Sequence, residues 1–70
     1  MNNNSWQFSF HEDKNISFVV ASLLTGHYEY NCSINQLSIE TICAINNINK
    51  TQAKKAIQLA NEYIKNKEVA

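Results

Sequence analysis

Basic and amide side chains are concentrated in the last third of this 70-residue chain, where they are interspersed with alanines. Lysine ammonium groups pair with phosphate oxygens, and an amide can both donate to and accept from one base edge. Residue types and close spacing therefore predict a surface suited to nucleic acid. The residues that carry this chemistry are Asn49, Lys50, Thr51, Gln52, Lys54, Lys55 and Gln58.

A stripe of small and apolar residues runs between these polar positions at steps of three and four. Such spacing is typical of an amphipathic helix, which we expect to run from Lys50 to about Asn66. Asn49 would cap the start of this helix, with Gln52 as its capping-box partner three residues later. The stripe comprises Ala53, Ala56, Ile57, Ala60, Tyr63 and Ile64.

A shorter helix is expected just before this one, across a tight turn. Cys43 is small enough to let two helices cross closely, and Ala53 and Ala56 are its counterparts after the turn. Asn47 stands where such turns usually have Gly, and Asn is the non-glycine residue that best tolerates a left-handed backbone. The segment 38–60, SIETICAINNINKTQAKKAIQLA, is therefore interpreted as two helices that meet at a turn.

In these residues the segment resembles the helix-turn-helix of small bacterial and phage transcription regulators. The similarity is greatest to the pattern S-I-E-x-[IL]-A-x-x-x-G-[IV]-S-x-x-T-[AV] of winged-helix proteins, and it covers roughly a third of the chain. The resemblance implies that the protein is a DNA-binding transcriptional regulator, with the helix beginning at Lys50 as the recognition helix and double-stranded DNA as the partner. It also implies a β-hairpin wing after that helix, which we expect to be absent because the chain ends at Ala70.

One further helix completes the predicted fold, and the helix before the turn has two possible starts. The first helix should run from about Asp13 to Thr25, with Gly26 just beyond its end. The second could begin after Ser33 or after Ser38. Ser33 makes the better capping box, which favours a helix over residues 34–46. The predicted core residues of these two helices are Ile16, Val19, Val20, Leu23, Leu24, Ile34, Leu37, Ile42 and Ile45.

The N-terminal residues have a different pattern. Residues 1–5 form a polar tail that we expect to be mobile. Trp6, Phe8 and Phe10 then alternate with polar residues, which predicts a short strand paired with residues 28–30, an aromatic arm over the helices, or a dimer contact. The predicted fold is mainly α: a three-helix helix-turn-helix bundle, in one domain of residues 6–70, with an N-terminal extended aromatic arm or short strand.

Several function classes are disfavoured by the sequence. The chain has no nucleophile with a base at a meaningful spacing and no Gly-rich phosphate loop, so we expect neither enzymatic activity nor a cofactor. It has no signal peptide and no apolar run long enough to cross a membrane, so a cytoplasmic location with reduced thiols is expected. No metal site is expected either, because the candidate ligands lack zinc-type spacing. They are His11, His27, Cys32 and Cys43.

The formal net charge is zero, which opposes strong nonspecific attraction to DNA. Charge is nevertheless uneven, since residues 44–67 carry five lysines against one glutamate. A homodimer is plausible because so small a domain buries little surface.

The alternative is a protein-binding inhibitor, immunity protein or anti-regulator with a host or regulator protein as its partner. In that case the N-terminal aromatics and two tyrosines should form one exposed patch. DNA binding instead requires internal aromatics and an open lysine face. The aromatic set is Trp6, Phe8, Phe10, Tyr28 and Tyr30.

Overall fold

The computed structural model describes residues 10–69, with side chains described as far as Lys67. It contains three helices: α1 (Lys14–Tyr30), α2 (Ile39–Asn46) and α3 (Lys50–Val69). No strand occurs among the described residues. The prediction of a mainly helical, three-helix fold is therefore confirmed.

The hydrophobic core lies where α1 and α2 pack against α3. Ala53, Ala56 and Ala60 of α3 have no solvent-exposed surface, so the neighbouring helices approach its backbone closely. Cys43 of α2 is half-buried against the same core, as expected for a small residue at a close crossing. The other buried apolar residues are Ile16, Val19, Val20, Leu24, Ile34 and Ile42, all of which the sequence assigned to the core.

Helix α1 is longer than predicted, because Gly26 lies inside it and not beyond its end. The residue that ends the helix is Asn31, which has a left-handed backbone with a φ of 58°. The backbone N–H groups of Asn31 and Cys32 both donate to the Gly26 carbonyl. An interior glycine costs a helix only about 1 kcal/mol, which the packing of a long helix face readily offsets.

Helix α2 is shorter than predicted and begins after Ser38, whose hydroxyl accepts the Thr41 N–H at 3.1 Å. The favoured start after Ser33 is wrong. The Ser33 hydroxyl instead accepts the Asn35 N–H at 3.2 Å, a local turn that competes with helix formation. The expected burial of Leu37 and Ile45 is also wrong, since they are 44% and 67% exposed.

Helix α3 continues to Val69, three residues beyond the predicted end, and is about 30 Å long at ~1.5 Å per residue. Neither Gly nor Pro interrupts it. Its apolar stripe largely faces the core as predicted, with Ile57 and Ile64 partly buried. Tyr63 is at the edge of the stripe, 37% exposed.

The predicted N-terminal arm lies mostly outside the described residues, including Trp6 and Phe8. Phe10 is described, and its ring meets the Tyr63 ring edge-on with a centroid distance of 5.7 Å. Its backbone N–H donates to the Ser17 hydroxyl at 3.3 Å. Residues 28–30 form the last turn of α1, so the suggested strand pairing with them is wrong.

None of the helices within the described part of the chain is both long and apolar enough to cross a membrane.

Candidate nucleic-acid interface

The start of α3 is held by a reciprocal capping box. The Asn49 side-chain oxygen accepts the Gln52 backbone N–H at 2.8 Å, and the Gln52 side-chain oxygen accepts the Asn49 backbone N–H at 3.0 Å. Two of the N–H groups that a helix start leaves without partners are thereby satisfied. The predicted box is confirmed, and it fixes the direction in which α3 leaves the turn.

The turn itself places α3 close to α2. Asn47 has a left-handed backbone with a φ of 55°, as its position predicted. The Ile48 N–H then donates to the Cys43 carbonyl at 3.2 Å, which closes the end of α2. Only residues 47–49 separate the two helices. This short connection leaves little freedom in how α3 is oriented against α2.

Gln52 also connects α3 with α1. Its amide nitrogen donates to the Asp13 carboxylate at 3.2 Å. Asp13 is itself the N-cap of α1 and accepts the backbone N–H groups of Asn15 and Ile16. One amide side chain therefore joins the starts of two helices. The sequence identified Asp13 near a helix start, but nothing in the local pattern indicated a partner 39 residues away.

These hydrogen bonds affect the ionisation of Asp13. The bond from Gln52 lowers the pKa of the carboxyl most, and the backbone N–H of Asn15 lowers it further. Hydrogen bonds to the ionised form stabilise it, whereas desolvation acts in the opposite direction. The start of α3 consequently lies beside a negative charge that these hydrogen bonds stabilise.

The side of α3 opposite the alanine stripe is open to solvent. Thr51, Lys54 and Gln58 are exposed there, and Lys55 is half-buried. Their spacing of three, four and seven residues places them on one helical face. Lys50 is exposed at the first position of the helix. None of the described hydrogen bonds or ion pairs involves a side chain of the three lysines.

The positive character of this face is interrupted one turn further on. Glu62 accepts a hydrogen bond from the Gln58 amide nitrogen at 2.9 Å. Near the end of α3, the Lys67 ammonium group lies over the Tyr63 ring, 5.9 Å from its centroid. Of the lysines that have no described partner, the three nearest the turn are Lys50, Lys54 and Lys55. They lie in the first two turns of α3.

Most of the predicted DNA-binding residues are thus brought together on the first turns of α3. Gln52 is the exception in its role, because both ends of its amide are engaged within the protein. An amide held in this way cannot be turned toward a base edge without breaking one of these bonds. The remaining residues of the predicted set are Asn49, Lys50, Thr51, Lys54, Lys55 and Gln58.

The aromatic residues that the alternative function would place in one exposed patch lie in two different environments. Phe10 is partly buried against the core and Tyr63. Tyr28 and Tyr30 on α1 are 52% and 74% exposed. A shallow groove between α1 and α3 is lined by Phe10, Tyr28 and Tyr63, among others. The described aromatics are therefore neither all internal nor all gathered in one exposed patch.

The described residues contain no group of three or more His, Cys, Asp or Glu side chains that could hold a metal ion. Cys32 and Cys43 are both free thiols and half-buried.

Comparison with known proteins found no matching family model, no similar curated protein and no similar solved structure.

Proposed function

We propose that this protein is a small cytoplasmic DNA-binding transcription regulator in which α2, the turn and α3 form a helix-turn-helix. The observation that carries the proposal is the open face of α3, on a helix start held by the capping box, where the lysines have no hydrogen-bond or ion-pair partner among the described residues. In a helix-turn-helix, the N-terminal residues of the second helix lie in the major groove. Here those residues are Lys50, Thr51, Lys54 and Lys55.

The lysines would supply phosphate contacts and hence most of the affinity. Thr51 would contribute a hydroxyl close to the groove edge. The bond from Gln52 to Asp13 supports this role indirectly, because it holds the start of α3 against α1 and limits fraying of the first turn. A rigid helix start loses less conformational entropy when it binds.

Binding by one copy should be weak at physiological salt, because few phosphates would be contacted. A homodimer would double the contacts and would read two half-sites about 34 Å apart, one helical turn of DNA. The proposed partner is therefore double-stranded DNA. Tight binding would require a second copy of the chain.

The test is a double substitution, Lys54→Glu with Lys55→Glu, assayed by gel shift at low salt on mixed-sequence and AT-rich duplexes. The DNA shift should be lost while far-UV circular dichroism stays helical. Lys65→Glu with Lys67→Glu is the matched control, since it changes net charge equally at the other end of α3. DNA binding that is unchanged in the first variant, or lost equally in both, would refute the assignment of this face.

A second candidate function, binding of a host or regulator protein, is favoured by the exposure of Tyr28 and Tyr30. Exposed aromatics are enriched at protein interfaces. In that case the wild-type protein would capture one partner from a bacterial lysate and show no DNA affinity at low salt. Tyr28→Ala with Tyr30→Ala would abolish the capture, and the Lys54 and Lys55 double variant would retain it.

A further inference from the structure

We infer that Gln58 reads an adenine in the major groove and that Glu62 orients its amide for this task. The inference rests on the proposed function and identifies the residue that would give it sequence preference. It starts from the two glutamines on the first turns of α3, Gln52 and Gln58, whose amides have different hydrogen-bond partners in the structure.

Gln52 is the less suitable base reader of the two because of its own contacts. Its oxygen accepts the Asn49 N–H at 3.0 Å and its nitrogen donates to Asp13 at 3.2 Å. Adenine is recognised by a bidentate pair that needs both the oxygen and the nitrogen of one amide. Gln52 is therefore held at both ends of its amide and is half-buried, whereas Gln58 is held at one end and is exposed.

Gln58 keeps the atoms that a bidentate pair requires. Within the described residues its side chain has one partner, Glu62, to which the amide nitrogen donates at 2.9 Å. An amide nitrogen carries two hydrogens, so one remains to donate to adenine N7. The amide oxygen is left to accept from the adenine N6 amino group.

Glu62 determines which way the amide is turned. A carboxylate only accepts hydrogen bonds, so the nitrogen of Gln58 must face Glu62 and the oxygen must lie on the other side. Without Glu62 the amide could rotate freely between two orientations, only one of which suits a given base pair. Glu62 is thus a positioning residue that acts through Gln58.

The position of Gln58 on the helix agrees with this role. It lies seven residues after Thr51 and four after Lys54, on the same open face. Thr51 and Gln58 are about 10 Å apart along the helix axis at ~1.5 Å per residue. That distance corresponds to about three base-pair steps of ~3.4 Å. Lysines on the preceding turns can therefore contact phosphates while Gln58 meets a base edge.

The first experiment selects duplexes from a randomised double-stranded DNA pool on wild-type protein and on Gln58→Ala. We expect wild type to enrich one adenine position and Gln58→Ala to lose that preference. Affinities are then compared for duplexes with A·T or G·C at that position. The A·T duplex should bind wild type roughly tenfold or more tightly, and the ratio should fall to about one in Gln58→Ala.

A chemical probe and two Glu62 variants complete the test. Replacing the adenine by 7-deazaadenine removes the N7 acceptor, which should weaken wild type and leave Gln58→Ala unaffected. Glu62→Ala should reduce the A·T to G·C ratio, and Glu62→Gln should reduce it too, because an amide both donates and accepts and so no longer fixes the orientation of Gln58. Both Glu62 variants also lose a negative charge. This loss raises the affinity for both duplexes by the same factor, so it does not change their ratio. Lys54→Ala is the control that weakens both equally.

The outcomes separate this inference from the proposed function. Binding to mixed-sequence DNA without enrichment of adenine, or an adenine preference that survives Gln58→Ala, would overturn the role of Gln58 alone. Full discrimination in Glu62→Ala would overturn the positioning role of Glu62. Absence of any DNA binding at low salt would overturn the proposed function as well.

Discussion

At the scale of single residues, the hydrogen bond between Gln52 and Asp13 has the widest consequences. It joins two helix caps that are 39 residues apart in the chain. Each partner also caps its own helix, so loss of the bond weakens two helix starts together. The half-buried position of both residues limits competition from water.

This arrangement predicts an acid-sensitive contribution to folding. The pKa of Asp13 is lowered from its usual 3.8, chiefly by the bond from Gln52. Its ionised form therefore stabilises the folded state at pH above 3.8, and this stabilisation is lost as the pH falls through the lower folded-state pKa. The thermal midpoint of wild type should fall more steeply on acidification than that of Asp13→Asn.

Thermal denaturation followed by far-UV circular dichroism at a series of acidic pH values measures this difference. Glu12→Gln is the control, because it removes a neighbouring carboxylate that makes no described hydrogen bond. That variant should keep the acid response of wild type. Parallel pH curves for wild type and Asp13→Asn would contradict the predicted role of the Asp13 carboxylate.

At the scale of the helices, small residues on α3 allow α1 and α2 to pack closely against it. Ala53, Ala56 and Ala60 have no exposed surface. Larger residues at these positions would push α1 or α2 away from α3. The orientation of the proposed DNA-binding face is set by that close packing, since the lysines lie on the opposite side of the same helix.

Ala56→Val should therefore destabilise the fold by about 1–3 kcal/mol, because the extra methyl groups have no space. The free energy of unfolding can be measured by urea denaturation. Ala44→Val makes the same substitution at an exposed position of α2 and should cost less than about 0.7 kcal/mol, the range of helix propensity. Equal losses in the two variants would show that close packing at Ala56 is not responsible.

At the scale of the whole molecule, net neutrality conceals an uneven charge distribution. Residues 1–43 carry Lys14 against four carboxylates, whereas residues 44–67 carry five lysines against Glu62. Most of the positive charge lies on α3. A polyanion would therefore be attracted mainly to α3, which favours one binding orientation over nonspecific coating.

The salt dependence of DNA affinity should show how many lysines of α3 contact phosphates. With Lys50, Lys54 and Lys55 on phosphates, the slope of log K against log salt should be about −3 for one copy and about −5 for a dimer. Fluorescence anisotropy of a labelled duplex across a salt series gives the slope. A slope near zero would be incompatible with a lysine-based interface.

The local patterns of the sequence predicted much of the fold and part of the candidate site. The apolar spacing of α1 and α3, the left-handed Asn47 and the capping box of Asn49 and Gln52 were all recognised correctly. Each depends on residues within one or two turns of each other. The errors came where two local signals competed, as between Ser33 and Ser38, or where Gly26 resembled a helix stop.

The sequence by itself determined that this chain forms three helices, with a short turn before α3 and a lysine-rich face on that helix. Periodicity and capping are local properties, so residue types and spacing are sufficient to specify them. Only the tertiary structure decided that Gln52 is bound to Asp13, which leaves Gln58 as the glutamine of α3 whose amide oxygen has no partner among the described residues. That choice depends on the close approach of α1 and α3, which follows from packing between segments far apart in the chain.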